Sequence, residues 1–163
     1  MHRKLFSTST LIAAIVAIVL SVSPGQAQPV GAEPAAPASQ LVESINRARA
    51  EAGLPLLTED GMLDSLALER SADMVARHYF SHTTPDGADV FGMLRDRGVD
   101  FSWAGENIAW NMAGEGRTGL VAAEGFLASP PHRANILNAS FSQVGVGVAA
   151  EGGRTYFTVV FLG

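Results

Sequence analysis

The 163-residue chain has no cysteine. Disulfides, thiolate metal ligands and thiol catalysis are therefore excluded, and stability must come from packing. Lys and Arg total 11 against 16 Asp and Glu, a formal charge of −5. Phosphate-backbone binding needs clustered basic residues, so this balance argues against nucleic acid as a partner. No apolar run approaches the roughly 20 residues that span a bilayer. No Gly-x-Ser-x-Gly elbow occurs, and Ser81 adjoins His82 in sequence without being placed to use it as a base, so a serine hydrolase is a poor reading.

The first 27 residues have the three regions of a cleavable secretory signal peptide. Arg3 and Lys4 supply positive charge, Leu11 to Leu20 is wholly apolar, and Gly25-Gln26-Ala27 offers small residues at a cleavage site. A protein exported this way is expected to be secreted, with no stable membrane anchor after cleavage, and no cysteine is present to carry a lipid. Loss of Arg3 and Lys4 leaves 9 basic and 16 acidic residues, a charge of −7. Residues 28–38 are rich in Pro and Ala and read as a tether. Residues 39–163 are long enough for one domain.

Within that domain Leu41, Ile45 and Ala48 keep helical spacing after a candidate N-cap at Ser39, and Gly53 with Pro55 ends the segment, so the pattern predicts a helix over 40–52. A second helix is expected from about Asp60 to Arg77, with Leu63, Leu66, Ala67, Met74 and Val75 along one face. A third is expected over 88–97, with Val90, Phe91 and Leu94 inward and Gly98 as its stop. The fourth, over 118–129, carries Leu120, Ala123 and Leu127 and ends before Pro130-Pro131. Strands follow late. Val144, Val146 and Val148 alternate with Gly145, Gly147 and Ala149, a pattern suited to a strand with one closely covered face. Glu151-Gly152-Gly153 turns the chain into a second strand over 155–162, and a short strand is expected at 107–110. Early helices and late antiparallel strands indicate an α+β domain.

Beyond the signal segment there are three histidines, His78, His82 and His132. Histidine serves readily as base, proton shuttle or metal ligand near neutral pH. His78 falls at the end of the second helix and reads as an ordinary helix-end residue. His82 lies in Tyr79-Phe80-Ser81-His82-Thr83-Thr84-Pro85-Asp86-Gly87. His132 follows the proline pair, on a turn fixed by it. Glu106 opens a strand after Gly105, where a carboxylate can project from a sheet edge. Separations of 24 and 26 residues match no local metal template such as H-E-x-x-H, so spacing alone does not join His82, Glu106 and His132.

Phe80-Ser81-His82, Gly105-Glu106-Asn107-Ile108, His132-Arg133-Ala134-Asn135-Ile136-Leu137 and Val144-Gly145-Val146-Gly147-Val148 together resemble the motifs of the CAP superfamily, also called SCP/TAPS. That group includes cysteine-rich secretory proteins, antigen 5 and plant PR-1, and the likeness is greater to its bacterial branch. It covers Leu41 to Phe161 in order. The resemblance implies an α-β-α sandwich around a central antiparallel sheet, with a cleft that gathers two histidines and two glutamates and in some members holds zinc. His82 and His132 match the two histidines, and Glu106 matches the glutamate of the G-E-N motif. At the second glutamate the pattern departs: Phe126 stands in the place of a tryptophan and Ser129 where the acid would be, with Glu124 about one and a half turns away.

Two imidazoles and a carboxylate suffice chemically for a divalent metal such as zinc, held by His82 and His132 with Glu106 nearby, or for a metal-free acid and base pair. A hydrogen-bonded cluster that merely orders three loops would look the same. The leading expectation is an extracellular or cell-envelope binding module. The alternative is a metal-dependent or acid/base hydrolase, peptidase-like, in which His82, Glu106 and His132 would be catalytic. The resemblance adds lipid or sterol as a ligand class. The negative charge argues against anionic headgroups. Phe101, Trp103 and Trp110 flank the Glu106 motif and read first as core, second as the lining of an apolar groove.

Overall fold

A computed structural model describes residues 36–114 and 116–163. The signal segment and all but the last residues of the tether lie outside them. Five helices and four strands follow in the order α1 (Pro37–Glu51), β1 (Thr58–Glu59), α2 (Gly61–Ala76), α3 (Val90–Asp96), β2 (Ala104–Asn111), α4 (Thr118–Ala128), α5 (Pro130–Ile136), β3 (Gln143–Glu151) and β4 (Arg154–Leu162). No helix among the described residues is long and apolar enough to cross a membrane.

The sheet order is β1-β3-β4-β2. Strands β3, β4 and β2 are antiparallel neighbours, while the two-residue β1 adds a parallel edge beside Gln143 and Val144. Gly152 and Gly153, with φ of 58° and 79°, close the β3–β4 hairpin. Positive φ at two consecutive positions is what a tight primed turn requires, and glycine adopts it without strain.

Alternation along the strands sends side chains to opposite faces. On one face Val144, Val146, Phe157, Val159 and Phe161 pack with Leu41 and Ile45 of α1, Phe126 of α4 and Ile136 of α5. On the other, Val160 and Leu162 meet Leu63, Leu66 and Ala67 of α2 and Val90 and Leu94 of α3. This is the expected α-β-α sandwich. Phe157 and Phe161 are fully buried, a gain of roughly 2–3 kcal/mol each over exposure. Gly145 and Gly147 lie under α2: a Cβ on Gly147 would stand 2.0 Å from the Ala67 carbonyl carbon and the Leu68 nitrogen, and one on Gly145 2.2 Å from the Leu63 carbonyl carbon. The closely covered face inferred from the Val/Gly alternation is therefore the seat of α2.

Several boundaries differ from expectation. Helix α1 starts at Pro37, with Ala36 rather than Ser39 as N-cap, because proline needs no hydrogen bond for its nitrogen in the first turn. Asp60 caps α2 as its carboxylate accepts from the Met62 and Leu63 amides at 2.9 and 3.0 Å, and its neighbours Thr58 and Glu59 form β1 rather than the helix start. Leu120 is 36% exposed, and Ala122, Ala123 and Phe126 carry the inner face of α4 instead. Pro130-Pro131 does end α4, but the same pair opens α5, with Ser129 as the residue between. His132 thus sits in the first turn of a helix rather than on a bare turn. Arg49 of α1, fully buried, locks that helix in place by donating to the carbonyls of Pro55, Ile136, Asn138 and Phe141 at 2.8–3.1 Å.

Gly147→Ala drives its methyl into α2 backbone that cannot rotate away, and overpacking of this kind costs on the order of 3 kcal/mol. Urea unfolding is expected to place its midpoint well below that of the parent chain. Gly125→Ala, inside α4 and meeting open space, serves as the control and is expected to unfold at or above the parent's midpoint, since alanine is the better helix former by about 0.5–1 kcal/mol.

Candidate functional site

Strand β2 is an edge of the sheet, and its Glu106 lies in register with Val160 on the α2 face. The Glu106 side chain is 3% exposed. Burying a carboxylate without partners is prohibitive, so the fold supplies them. Arg70 of α2, itself 0% exposed, donates Nε–H to Glu106 Oε1 at 3.0 Å. His82, on the loop after α2, places Nδ1 2.6 Å from Glu106 Oε2. A carboxylate only accepts, so Nδ1 carries the proton and Nε2 is the ring nitrogen left for a ligand. The His82 side chain is 56% exposed.

Arg70 does more than neutralise the acid. It donates to the Tyr79 hydroxyl at 2.9 Å and to the Ser81 carbonyl at 2.9 Å, and Tyr79 in turn donates to Asp73 at 2.6 Å. One guanidinium therefore fixes the carboxylate and the loop that carries His82. Burial disfavours its charge, but attraction to Glu106 and Tyr79 outweighs that and holds the Arg70 pKa above its ordinary value. Burial and the hydrogen bond to Asp73 together push the Tyr79 hydroxyl upward, against the opposing pull of Arg70.

His132 comes from α5. Its ring meets Phe126 edge-on at 5.1 Å between centroids. Burial lowers its pKa, and the neighbouring His82 lowers it further. Asn135 donates to Asn107 Oδ1 at 2.8 Å and to the Glu106 carbonyl at 3.3 Å, while Asn107 donates to the His132 carbonyl at 3.0 Å. These bonds staple β2 to α5; a cleft of about 410 Å3 is lined by His82, Asp89, Phe91, Glu106 and Asn135 among others, with His132 outside its lining. Asp89 is spent on capping α3, its carboxylate accepting from the Gly92 amide at 2.7 Å. Gly105 is needed because a Cβ there would press on the Phe141 ring at 3.0 Å.

Of the three residues singled out in the sequence, His82 and Glu106 are in direct contact. His132 contacts neither of them directly: its ring meets Phe126 and its carbonyl accepts from Asn107. Ser129 terminates α4 and places no carboxylate in the cleft, and Glu124 is exposed between α4 and α1 beside Ser44 and Arg47. Among the described residues no group of three or more His, Cys, Asp or Glu is arranged to hold a metal ion. Glu106 is engaged by Arg70 and His82, and Asp89 caps α3.

Sequence reasoning missed Arg70. It sits at an inward position of α2, four residues before Met74, and an arginine on the buried stripe of an amphipathic helix is the available signal that an acid waits opposite. Trp103 and Trp110 also depart from the core reading, at 57% and 43% exposed, and Phe101 is half-buried against α3.

A family model described as the cysteine-rich secretory protein family, CAP, matches residues 42–162. The chain belongs to the CAP family. The protein YkwD of Bacillus subtilis is 32% identical over 149 residues, covering 88% of this chain and 56% of that protein. A solved extracellular SCP-domain protein from Bacillus anthracis is 35% identical with a TM-score of 0.68, over 77% of this chain and 40% of that one. An outer surface protein of Borrelia burgdorferi, 21% identical, shares the fold with a TM-score of 0.66 over 76% of this chain and 90% of its own. These likenesses place the CAP domain in the bacterial branch. It spans about half the length of the Bacillus proteins it matches.

Two outcomes test this site. Arg70→Met leaves the Glu106 charge buried without its partner, and breaking such a pair costs about 3–5 kcal/mol; chemical denaturation is the measurement. The depressed His132 pKa means the unfolded chain binds its proton more readily, so this residue's contribution to stability is full above about 6.5 and is lost as pH falls through the lower folded value. In an NMR titration the His132 ring is expected to titrate below 6.5, and to move upward in His82→Ala.

Proposed function

We propose that this CAP domain is a secreted or cell-envelope binding module whose His82–Glu106–His132 cleft holds a ligand without turning it over. The observation that carries the reading is that each Glu106 oxygen accepts a charge-assisted hydrogen bond, Oε1 from Arg70 and Oε2 from His82. A hydrolytic pair needs one group to take a proton and another to give it. Here the Glu106 carboxylate is tied to Arg70 and His82, and no hydroxyl among the described residues is hydrogen-bonded to the His82 ring. What remains is a rigid polar wall with one outward imidazole nitrogen. Export fits the signal segment ending at Ala27, and the matched relatives described as extracellular or outer-surface proteins support it.

A divalent cation such as zinc is a second reading, favoured by one feature. Glu106 acts on His82 as carboxylates act on metal-ligating histidines, fixing the ring orientation and leaving Nε2 as the free nitrogen, and burial lowers the His132 pKa, which favours the neutral imidazole that metals bind. His82 and His132 would hold the ion. Two imidazoles fall short of the three protein ligands of open zinc centres, so solvent or the bound ligand completes the set. Bound there, the ion would supply Lewis-acid contact to an oxygen of the ligand.

Calorimetry with zinc is expected to show saturable uptake that weakens at least about tenfold, or 1.4 kcal/mol, in the His82→Ala/His132→Ala double variant. Equal affinity in the two proteins removes the metal reading. Hydrolysis of envelope peptides or esters by the parent, lost in a folded Glu106→Gln variant, would overturn the binding reading in favour of a hydrolase.

A further inference from the structure

A second concavity, of about 330 Å3, opens on the same face of the sheet as Glu106, four residues further along β2. At about 3.3 Å per residue that is some 13 Å from the carboxylate. Its floor is aromatic. Trp110 lies directly across from Tyr156 in the β2–β4 pairing, and Phe80 tilts against Tyr156 with ring centroids 6.3 Å apart. Trp110 and Phe80 remain 43% and 45% exposed, so these rings are not spent on the core. The rim is polar: His78, Glu151 and Arg154 surround the rings.

Arg154 holds its guanidinium 4.1 Å from the centre of the Trp110 ring and donates to the Tyr156 hydroxyl at 3.2 Å. This stack holds the indole against the guanidinium, whose N–H groups beyond the one given to Tyr156 remain to donate to a ligand. His78, with φ of 55°, is the left-handed residue that ends α2 and turns the chain into Tyr79-Phe80. The loop from His78 to Thr83 therefore walls this pocket at one end and the His82 cleft at the other.

We propose that this pocket is a carbohydrate subsite, taking a neutral hexose unit of an oligosaccharide. A pyranose presents an apolar C–H face and a rim of hydroxyls, and the pocket offers the half-exposed rings of Phe80 and Trp110 beside the donors and acceptors of His78, Glu151 and Arg154. Other ligand classes meet an obstacle. A lipid chain would desolvate His78, Glu151 and Arg154 without replacing their hydrogen bonds. An anionic ligand would face Glu151 and a chain of net negative charge. The volume lies within the roughly 300–1,000 Å3 of small-ligand sites. The proposal concerns a pocket separate from the cleft, so failure of the zinc or hydrolysis experiments leaves it standing.

The chain has two tryptophans, so Trp103→Phe leaves Trp110 as the sole indole reporter. Fluorescence titration of that variant with cellotetraose, chitotetraose and maltotetraose is expected to give a saturable shift with at least one of them. The same sugar, followed by calorimetry, is expected to bind about tenfold more weakly to Trp110→Ala and to Arg154→Ala, each checked for folding by thermal melting. Absence of saturable binding by all three sugars overturns the proposal. So does equal affinity in the folded variants, or binding at this pocket by a proline-rich peptide or phosphatidylcholine vesicles in place of every sugar.

Discussion

A guanidinium and a carboxylate meet inside this domain with 0% and 3% of their side chains exposed. Each is costly to bury alone, and together they commit three parts of the chain to one arrangement. Arg70 rides on α2, whose seat against β3 is set by Gly145 and Gly147. Glu106 belongs to the edge strand. The loop between Tyr79 and His82 has no regular hydrogen bonding of its own, and it is held because Arg70 reaches the Tyr79 hydroxyl and the Ser81 carbonyl. The orientation of His82 follows from an ion pair it is not part of.

That arrangement also explains the departure from the four-residue cleft implied by the family resemblance. With a second acid beside Glu106 a metal or proton could be shared between carboxylates. Here the negative charge of Glu106 is balanced from below by Arg70, and α4 ends at Ser129 without supplying another. The cleft is reduced to two imidazoles of different character, one exposed and tethered, the other half-buried against Phe126 and depressed in pKa. On the binding reading proposed above, this pair contacts a ligand rather than relaying protons. Acid and base chemistry needs both partners free to exchange protons.

Much of this is legible in the residues. The Val/Gly alternation at 144–148 announces a strand under a close neighbour, the paired glycines at 152–153 announce the hairpin, and periodic apolar residues locate α2 and α3 within about two residues. The motifs name His82, Glu106 and His132. What stays hidden has common physical causes. A proline pair both stops and starts helices, so Pro130-Pro131 conceals α5. Hydrogen bonds between distant side chains leave no periodic trace, so neither the Asn107–Asn135 staple nor the reach of Arg49 to Ile136 and Phe141 can be read from spacing. Arg70 is obscured because a single charge on a helix reads as solvated surface unless its place on the buried stripe is weighed. Trp110 reads toward the core because nothing in the sequence distinguishes an indole that fills a core from one that lines a pocket.

Glu106, held in place by Arg70, sets the tautomer of His82 and presents Nε2 to solvent. Nitrogen-15 NMR of the His82 imidazole, recorded on its neutral form, tests this directly. The structure predicts a proton resident on Nδ1 and a bare Nε2, with the preference lost when Glu106→Ala removes the acceptor in protein that remains folded. A resident proton on Nε2, or rapid averaging between the two nitrogens in the unaltered chain, would contradict it.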